Sequence, residues 1–421
     1  MSSLIPAIQL DMGYNLLGND AVLPTNHWMQ IFEHTGRCCS GPGQYYRISS
    51  ADVNGLWASI YTKQLINAKH LIDLAETKQS PYNAAVGQIL CAYTLGITTD
   101  LWGDIPYSDA IREHDIFRNP IYDSQEKVYE IIHLLLDKAI ANLGKDASQN
   151  LIDIEGDVYY KGDPIAWQNA ARAIKARHFL QLSGRNGNAA YSAALGFTDA
   201  FISNADNMVC PFSEENQNPL YQFMEQRAGT VMSSTLLSEM EANSDPRIPF
   251  YYAPDDTGGI SGSDPGAENF QASRPGEYLA GQTAPTYLMT YSELKFIEAE
   301  AALQTGIPAR AATAYNSGIA ASVLQVTGDS HDTWVKTMER TAADITLNDI
   351  MMQKRHALVG QVQVYSDWRR TGIPELIPTA LADLPAIPQR YPYPSDEINL
   401  NGENVPPIES ILVPIWWAEL D

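Results

Sequence analysis

Basic residues, cysteines and long apolar runs are all scarce in this sequence of 421 residues, and each shortage excludes a class of protein. Only 27 lysines and arginines stand against 50 aspartates and glutamates, which gives a net charge of −23. Binding to nucleic-acid backbones or anionic lipid surfaces needs clustered basic residues. No uninterrupted apolar stretch reaches the roughly 18 residues of a transmembrane helix. We therefore expect neither a nucleic-acid partner nor a helix that spans a membrane.

The four cysteines do not form a recognisable disulfide framework. Cys38 and Cys39 are adjacent, and a bond between neighbours strains the disulfide geometry. Cys91 lies in an apolar stretch with helical character, which predicts a buried thiol. Cys210 can pair with one of the first two, and the sequence leaves this open. A metal cluster of His34 with Cys38 and Cys39 lacks the further ligand that a four-ligand site needs, so we expect no metal and no cofactor.

The usual catalytic motifs are missing too. A Gly-Pro-Gly segment begins like a dinucleotide-binding loop, but the third glycine is absent and the proline removes an amide from the phosphate cradle. A glycosidase pair of carboxylates can be assembled from Asp100 with Asp104 or from Asp255 with Asp264. The first pair lies in a turn whose residues suit a structural role. The second, with Asp256, lacks the spacing of a twelve-residue calcium loop, and whether that loop holds calcium stays open. We therefore expect a protein that is not an enzyme.

Four charged residues near the C-terminus could be mistaken for a catalytic group: Arg355, Asp367, Arg369 and Arg370. They fall in a long segment with a helical pattern. A guanidinium suits bidentate contacts with carboxylates and carbonyls. We interpret these residues as internal ion pairs and carbonyl contacts that brace the helix.

Apolar residues recur at helical spacing over most of the chain. Consecutive helical segments separated by turn residues form hairpins of about 40 residues, close to the size of a tetratricopeptide repeat. The predicted hairpins pair segments 54–78 with 82–98, 123–142 with 163–182, and 285–304 with 309–326. Helices over 188–204 and 347–370 complete the prediction.

Outside these segments the helical periodicity fades. Asparagine, serine, glycine, proline and aspartate dominate between about 206 and 285, as in loops. The proline-rich C-terminal part has no helical period, which predicts a tail that wraps over the body. The sequence therefore predicts a mainly α protein with tetratricopeptide-like hairpins and a single domain over 1–421. Its helical core spans about 50–205 and 285–372, its loop-rich ligand side 206–285, and its tail 373–421.

Several short motifs follow one another along the chain. The first, over 101–110, reads Leu-Trp-Gly-Asp-Ile-Pro-Tyr-Ser-Asp-Ala. It makes a sharp exit from a helix, because glycine tolerates positive φ and the residue before proline avoids the helical region. The others are the helical segment 287–302, 354–360 (Lys-Arg-His-Ala-Leu-Val-Gly), 367–372 (Asp-Trp-Arg-Arg-Thr-Gly), 387–394 (Ile-Pro-Gln-Arg-Tyr-Pro-Tyr-Pro) with Glu397 and Asn399, and 413–417 (Val-Pro-Ile-Trp-Trp).

Together these motifs resemble the SusD/RagB family, specifically its SusD-like branch, over about residues 50–417. The resemblance implies a helical core of tetratricopeptide-like pairs and a loop-rich part that carries the ligand site. It implies a nutrient-binding lipoprotein on the surface of Bacteroidetes-type bacteria. Such a protein captures oligomeric nutrients, usually oligosaccharides, and delivers them to a SusC-like TonB-dependent transporter of the outer membrane.

A sugar site combines flat aromatic rings with planar polar side chains. The resemblance implies that loop aromatics supply the rings. We therefore expect the loops to form a shallow groove for an oligosaccharide, and whether the ligand is a glycan or a peptide stays open. The candidate ligand-binding residues are Trp28, Tyr45, Tyr46, Tyr251, Tyr252, Asn269 and Tyr278.

The start of the sequence, Met-Ser-Ser-Leu-Ile-Pro, lacks the basic and apolar segments of a signal peptide. Either the protein is cytoplasmic, or a signal peptide and a lipid-anchor cysteine have been removed. The resemblance favours the second reading, with the protein on the outer membrane and tethered through that anchor alone. The competing hypotheses are a cytoplasmic helical-repeat scaffold that binds proteins or peptides, and a glycosidase on a helical scaffold.

Overall fold

Helices form most of the chain, as the periodicity predicts. The structure, a computed structural model, describes residues 1–35, 43, 45–112, 115–116 and 119–419. Among these residues, none of the helices combines the length and the apolar composition that crossing a bilayer requires. The α-helices are α1 (Leu4–Asp11), α2 (Val22–Trp28), α3 (Asn54–Ser59), α4 (Ile66–Thr77), α5 (Pro81–Trp102), α6 (Gln125–Leu143), α7 (Pro164–Gln181), α8 (Ser183–Asn186), α9 (Asn188–Leu195), α10 (Pro219–Arg227), α11 (Ser234–Glu241), α12 (Ile248–Tyr251), α13 (Glu277–Ala280), α14 (Tyr291–Gln304), α15 (Pro308–Thr327), α16 (Asp332–Met338), α17 (Leu347–Ala357), α18 (Gln363–Thr371) and α19 (Ser395–Asn401).

Two π-helical segments and three short 3-10 turns connect some of these helices. The π-helical segment Met12–Asp20 joins α1 to α2, and Ile60–Leu65 joins α3 to α4. The 3-10 turns are Ala147–Gln149, Asn204–Asp206 and Trp416–Ala418.

The three predicted hairpins are confirmed. Helix α4 packs against α5, α6 packs against α7, and α14 packs against α15. The turn between α14 and α15 contains Gly306, whose φ of +77° suits a residue without a Cβ atom. Pro308 then occupies the first turn of α15, where its missing amide costs no hydrogen bond. The protein is therefore mainly α, with tetratricopeptide-like hairpins.

The prediction fails where helices are short or interrupted. The single helix predicted over 347–370 is wrong, because the chain leaves the helical conformation after α17 and Gly360 takes a φ of +80° before α18 begins. The helix predicted over 188–204 ends at Leu195. The region 206–285 contains α10 to α13, which have nine, eight, four and four residues. Such helices are too short for a readable helical period.

The strands pair in short antiparallel ladders. In the first ladder, Phe32 faces Met232, Glu33 faces Val231 and His34 faces Thr230. This two-stranded ribbon joins a strand near the N-terminus to a strand of the loop-rich region. The pairs are β1 (Phe32–His34) with β5 (Thr230–Met232), β2 (Ile111–Arg112) with β3 (Asp115–Ile116), and β4 (Met208–Cys210) with β6 (Thr286–Met289).

The C-terminal tail closes over the turn that ends α5. Gly103 adopts a φ of +81°, so the chain leaves the helix sharply. The buried indole of Trp102 donates a hydrogen bond to the carbonyl oxygen of Pro392 at 2.8 Å. The guanidinium of Arg390 donates to the carbonyl oxygen of Trp102. Two of the sequence motifs therefore meet in space and hold each other.

A buried carboxylate joins the same turn to the terminal Trp-Trp motif. Oδ1 of Asp100 accepts hydrogen bonds from the hydroxyl of Tyr129 at 2.6 Å and from the indole of Trp417 at 2.8 Å. Arg369 donates to the carbonyl oxygen of Asp100 at 2.6 Å. Burial raises the pKa of Asp100 to about 6 in spite of these partners. The carboxylate is held by donors from two separate parts of the chain, and the backbone of Asp100 by a third.

The charged residues of α17 and α18 are internal braces, as predicted. Arg369 also donates to the carbonyl oxygen of Gln389 at 3.0 Å. Arg355, Asp367 and Arg370, the other residues of this group, form ion pairs, either within these two helices or with glutamates of other helices. These pairs are Arg355 with Glu239 at 2.9 Å, Lys354 with Asp367 at 2.8 Å, and Arg370 with Glu300.

Two of the four cysteines are described. Cys91 is a buried free thiol, which confirms the prediction for it, and Cys210 is a buried free thiol as well. Cys38 and Cys39 lie outside the described residues. The metal cluster considered for them with His34 lies outside for the same reason.

We predict that Trp417→Phe destabilises the protein, because it leaves Oδ1 of the buried Asp100 without its indole donor. The expected loss in the free energy of unfolding is about 1–3 kcal/mol. Trp416→Phe is the matched control, since this ring is only partly buried beside Arg185. Chemical denaturation followed by circular dichroism compares the two variants with the parent. If both variants lose the same unfolding free energy, the hydrogen bond from Trp417 to Asp100 contributes nothing to stability.

Candidate functional site

The seven candidate ligand residues do not share one surface. Four of their rings belong to the core, and the expectation that these rings stand on exposed loops is wrong. The exposed fractions are 0% for Trp28, Tyr251 and Tyr252, and 4% for Tyr46.

The buried rings are held by specific neighbours. Trp28 ends α2 and meets the rings of Tyr365 and Tyr391 edge to face, with centroids 5.3 and 5.4 Å away. The hydroxyl of Tyr251 donates to the carbonyl oxygen of His356 at 2.8 Å, and that of Tyr252 donates to Ser233 at 2.9 Å. These tyrosines come at the end of the four-residue helix α12, which the sequence pattern did not predict and which carries them into the core.

Tyr278 lies in an interior cleft. Its ring stacks on Tyr287 with centroids 5.8 Å apart, and its hydroxyl accepts a hydrogen bond from Gln325 at 2.6 Å. The cleft reaches inward to Asp100 and Arg177 and has a volume of about 60 Å³. For comparison, an engineered cavity of about 150 Å³ binds one benzene ring. This cleft is therefore too narrow for a sugar ring.

Tyr45 and the loop that contains Asn269 do come together at the surface. The partly exposed Tyr45 donates its hydroxyl to the carboxylate of Glu268, next to the exposed Asn269. The carbonyl oxygen of Tyr45 accepts the amide of Asp383 at 3.0 Å. Three segments of chain, at 45–47, 264–270 and 379–383, therefore meet at one place.

The same place presents further side chains that the sequence reasoning missed. Arg47 lies over the ring of Tyr45 at 4.7 Å and pairs with Asp383, with about half of each side chain exposed. The ring of Phe270 is 49% exposed. The sequence did offer a signal for Phe270, because it is an apolar ring next to Asn269 in an otherwise polar loop. We call this group the Tyr45 surface; it comprises Tyr45, Arg47, Glu268, Asn269, Phe270 and Asp383.

A buried carboxyl group supports the loop from below. Oε2 of Glu33 accepts the amide of Gly266 at 3.3 Å. Gly266 has a φ of +83°, and a Cβ atom there would lie 2.5 Å from Oγ1 of Thr379. Burial raises the pKa of Glu33 to about 8, and the charge of the nearby Asp264 adds to the rise. Glu33 therefore keeps its proton at neutral pH.

The carboxylates that could suggest hydrolysis have structural partners. Oδ1 of Asp104 accepts the amide of Gln125 at 2.8 Å, where α6 begins. The carboxylate of Asp255 accepts the hydroxyls of Thr257 and Ser261 and also amides of its own loop, and these hydrogen bonds lower the pKa of Asp255 to about 2. Asp264 accepts the hydroxyl of Ser234. Within the described ranges, no three His, Cys, Asp or Glu side chains are grouped as metal ligands.

The Tyr45 surface suits non-covalent binding of a ligand with flat apolar faces and many hydroxyl groups. The rings of Tyr45 and Phe270 can stack on such a face. The guanidinium of Arg47 donates hydrogen bonds, the carboxylates of Glu268 and Asp383 accept them, and the amide of Asn269 does both.

Comparisons with known proteins agree with this architecture. A search of curated protein sequences finds no match. Among solved structures, a chitin-binding protein superposes with a TM-score of 0.85 at 24% identity, covering 99% of each chain. A SusD/RagB family protein from Bacteroides thetaiotaomicron has a TM-score of 0.80 at 23% identity over 100% of both chains. A chitin-binding SusD homolog from Flavobacterium johnsoniae has a TM-score of 0.80 at 21% identity and covers 98% of this chain and 97% of its own.

These likenesses show a shared fold. The sequence itself matches a family profile over residues 1–394, and that family is described as starch-binding and associating with the outer membrane. The chain belongs to the SusD-like family of starch-binding proteins that associate with the outer membrane.

Proposed function

We propose that this protein captures an oligosaccharide at the Tyr45 surface and passes it, uncleaved, to a TonB-dependent transporter of the SusC type. The observation that carries the proposal is the meeting of three chain segments around Tyr45. Their exposed side chains supply both ring faces and planar polar groups. Membership in the SusD-like family supports the same function.

The position of Arg47 decides how a sugar can meet Tyr45. The guanidinium covers one face of the phenol ring and is itself oriented by Asp383. A sugar ring therefore does not stack on the face of Tyr45 that Arg47 covers. The half-exposed Arg47 then points donors at the ring hydroxyls. This arrangement gives binding without placing an unpaired acid beside a glycosidic bond.

Two ligand series are the first to test. The family description names starch, and two of the similar structures are described as chitin-binding. Malto-oligosaccharides and chito-oligosaccharides differ in their N-acetyl groups and share the flat pyranose face. Both are uncharged, which suits a chain with a net charge of −23. We propose an uncharged oligosaccharide of this kind as the ligand.

We further propose that the native protein is tethered to the outer membrane by an N-terminal lipid. The family associates with that membrane. A lipid anchor together with a docked transporter accounts for this association.

We predict that Phe270→Ala weakens binding of the preferred oligosaccharide, because it removes an exposed stacking ring. The expected loss is about 1–3 kcal/mol, or one to two decades in affinity, by analogy with bases that stack on aromatic rings. Arg47→Gln is expected to weaken binding less, through lost hydrogen bonds. Titration calorimetry with malto- and chito-oligosaccharides measures both effects.

Ile202→Ala is the control, since this apolar side chain is 80% exposed and lies outside the Tyr45 surface. It is expected to bind as the parent does. Chromatography of the ligand after long incubation is expected to recover it intact. If Phe270→Ala, Arg47→Gln and Tyr45→Ala all keep the parent affinity, the ligand binds elsewhere. If the parent cleaves the ligand, the proposed function is wrong.

The buried Glu33 predicts a pH dependence of stability. Its pKa in the folded chain, about 8, lies above the ordinary value of 4.5. The stability that Glu33 contributes is therefore full below pH 4.5 and is lost as the pH rises through 8. Compared with Glu33→Gln, which stays neutral, the parent is expected to lose a few kcal/mol of unfolding free energy between pH 5 and pH 8.5.

Urea denaturation at several pH values tests this, with the exposed Glu76→Gln as the control. The control is expected to follow the pH profile of the parent. A constant difference between the parent and Glu33→Gln at all pH values would show that folding does not raise the pKa of Glu33.

The full-length native protein is expected in the outer-membrane fraction of its cells, because a lipid anchor and a transporter partner both hold it there. Detergent extraction followed by affinity purification is expected to recover a TonB-dependent transporter with it. Mass spectrometry identifies the partner and the lipid on the N-terminal cysteine. Recovery of the native protein only from the soluble cytoplasmic fraction contradicts both parts of this prediction.

A further inference from the structure

The interior cleft beside Tyr278 leads from the surface to Asp100. Partly exposed residues form its mouth, among them Leu279, Tyr287 and Gln363, and buried residues form its inner end. Its volume is about 60 Å³. A buried water molecule needs roughly 10–15 Å³ of such space, so the cleft has room for about four. The cleft therefore connects the solvent with the carboxyl group that holds the C-terminal tail.

One oxygen of Asp100 faces this cleft. Within the described part of the chain, both hydrogen bonds to the carboxyl group, from Tyr129 and from Trp417, end on Oδ1. Oδ2 accepts none, and it is not sealed from solvent. Because Asp100 is only 6% exposed and lines the cleft, the accessible surface of Oδ2 opens into the cleft. A buried carboxylate oxygen needs a donor, and a water molecule in the cleft supplies one.

The inner end of the cleft offers the other partners that water needs. Oγ of Ser366 accepts a hydrogen bond from Arg369 at 3.2 Å and has its own hydrogen to donate. The guanidinium of Arg177 lines the same end and pairs with Glu293 at 2.6 Å. A buried water makes two to four hydrogen bonds, and these groups provide both donors and acceptors. The two arginines make the same space unfavourable for a metal cation.

The ionisable groups around Asp100 come from every element packed against it. The arginines stay charged at any pH at which the protein folds. Burial raises the pKa of each tyrosine and lowers that of the histidine, so these side chains are neutral at pH 7. The charges that face Asp100 are therefore positive. The groups are Arg369 and Tyr365 of α18, Arg177 and His178 of α7, Tyr129 of α6, Tyr93 of α5, Arg390 of the tail, and Glu293 of α14 behind Arg177.

The proton of Asp100 therefore has a defined place and a defined effect. Oδ1 is occupied by two donors, so the proton binds to Oδ2 and points into the cleft. Burial raises the pKa of Asp100 from 3.8 to about 6, and Arg369 offsets only part of the rise. The stability that this carboxyl group contributes is full below pH 3.8 and is lost as the pH rises to 6.

We propose that the cleft is a water site that carries protons between the solvent and Asp100, and that the protonation state of Asp100 sets how tightly the C-terminal tail is held. With a proton on Oδ2, the carboxyl group is neutral, and Oδ1 still accepts from Tyr129 and Trp417. Without it, a charge remains in the core and the hold on the tail loosens. This inference does not depend on the function proposed for the Tyr45 surface.

Hydrogen exchange of the tail amides tests the effect of the proton. Asp100→Asn accepts the same two hydrogen bonds at Oδ1 and cannot ionise. The amide of Trp417, which donates to Oε1 of Gln125 at 3.3 Å, reports on the tail. Relative to the variant, we expect the protection factor of the parent to fall about fiftyfold between pH 4 and pH 7 and to level off above pH 6.5.

The exposed Asp153→Asn is the matched control and is expected to follow the parent. Titration of other groups, such as Glu33, affects the parent and Asp100→Asn alike and cancels in their ratio. If that ratio does not change with pH, the proton on Asp100 does not govern the tail and the proposal is wrong.

Infrared spectroscopy tests the water path. The difference spectrum between the parent and Asp100→Asn isolates the C=O stretch of the protonated carboxyl group. We expect this band to disappear as the pH rises through 6. After transfer into D₂O at low pH, it is expected to shift much faster than the Trp417 amide exchanges. A shift as slow as that amide would show that water reaches Asp100 only when the tail opens, which contradicts the path.

Tyr129→Phe keeps the test decisive if Asp100→Asn does not fold. It removes a donor that favours the ionised carboxylate, so the pKa of Asp100 is expected to rise. In acid-minus-neutral difference spectra, the band of this variant is expected to disappear about one pH unit higher than that of the parent. If the band disappears at the same pH in both proteins, it does not come from Asp100 and the proposal fails.

Discussion

The buried carboxylate of Asp100 is the constraint on which the rest of the structure depends. A carboxylate can be kept in a protein interior only if donors surround it. Here the donors come from α6 through Tyr129 and from the C-terminal tail through Trp417. Trp102, two residues after Asp100, is fastened to Pro392, 290 positions further along the chain. The helical hairpins form from local contacts, but this closure requires the whole chain. The tail is therefore part of the core.

The sequence predicts the parts of the fold that follow from local patterns, such as helical periodicity. The hairpin of α14 and α15 follows from helical periodicity interrupted by Gly306 and Pro308, and the bracing role of Asp367 and Arg369 follows from the chemistry of buried charges. The short helices α10 to α13 could not be predicted, because four to nine residues do not establish a period. The break at Gly360 was missed because glycine also occurs within helices.

The candidate site was predictable only in part, for a different reason. Tyr45 and Asn269 were correctly taken to lie on loops, and the structure brings their loops together. Trp28 and Tyr252 were also expected on loops, yet they lie in the core. Local sequence does not tell whether an aromatic ring on an irregular segment faces inward or outward. That choice depends on partners such as Tyr365 and Ser233, which lie far away in sequence or on another element.

The ribbon of β1 and β5 has a consequence for how ligand preference can change. Neighbouring side chains on a strand point to opposite faces. Glu33 accordingly supports the loop at Gly266, while His34, with Thr230 opposite it, lines a pocket that also contains His27. Two strands of three residues have little stability of their own, so the surroundings hold their register. Substitutions at every second position can therefore alter one face and leave the other untouched. Related chains can therefore change the side chains, and with them the ligand preference, on one face of the ribbon while selection preserves the side chains of the other face.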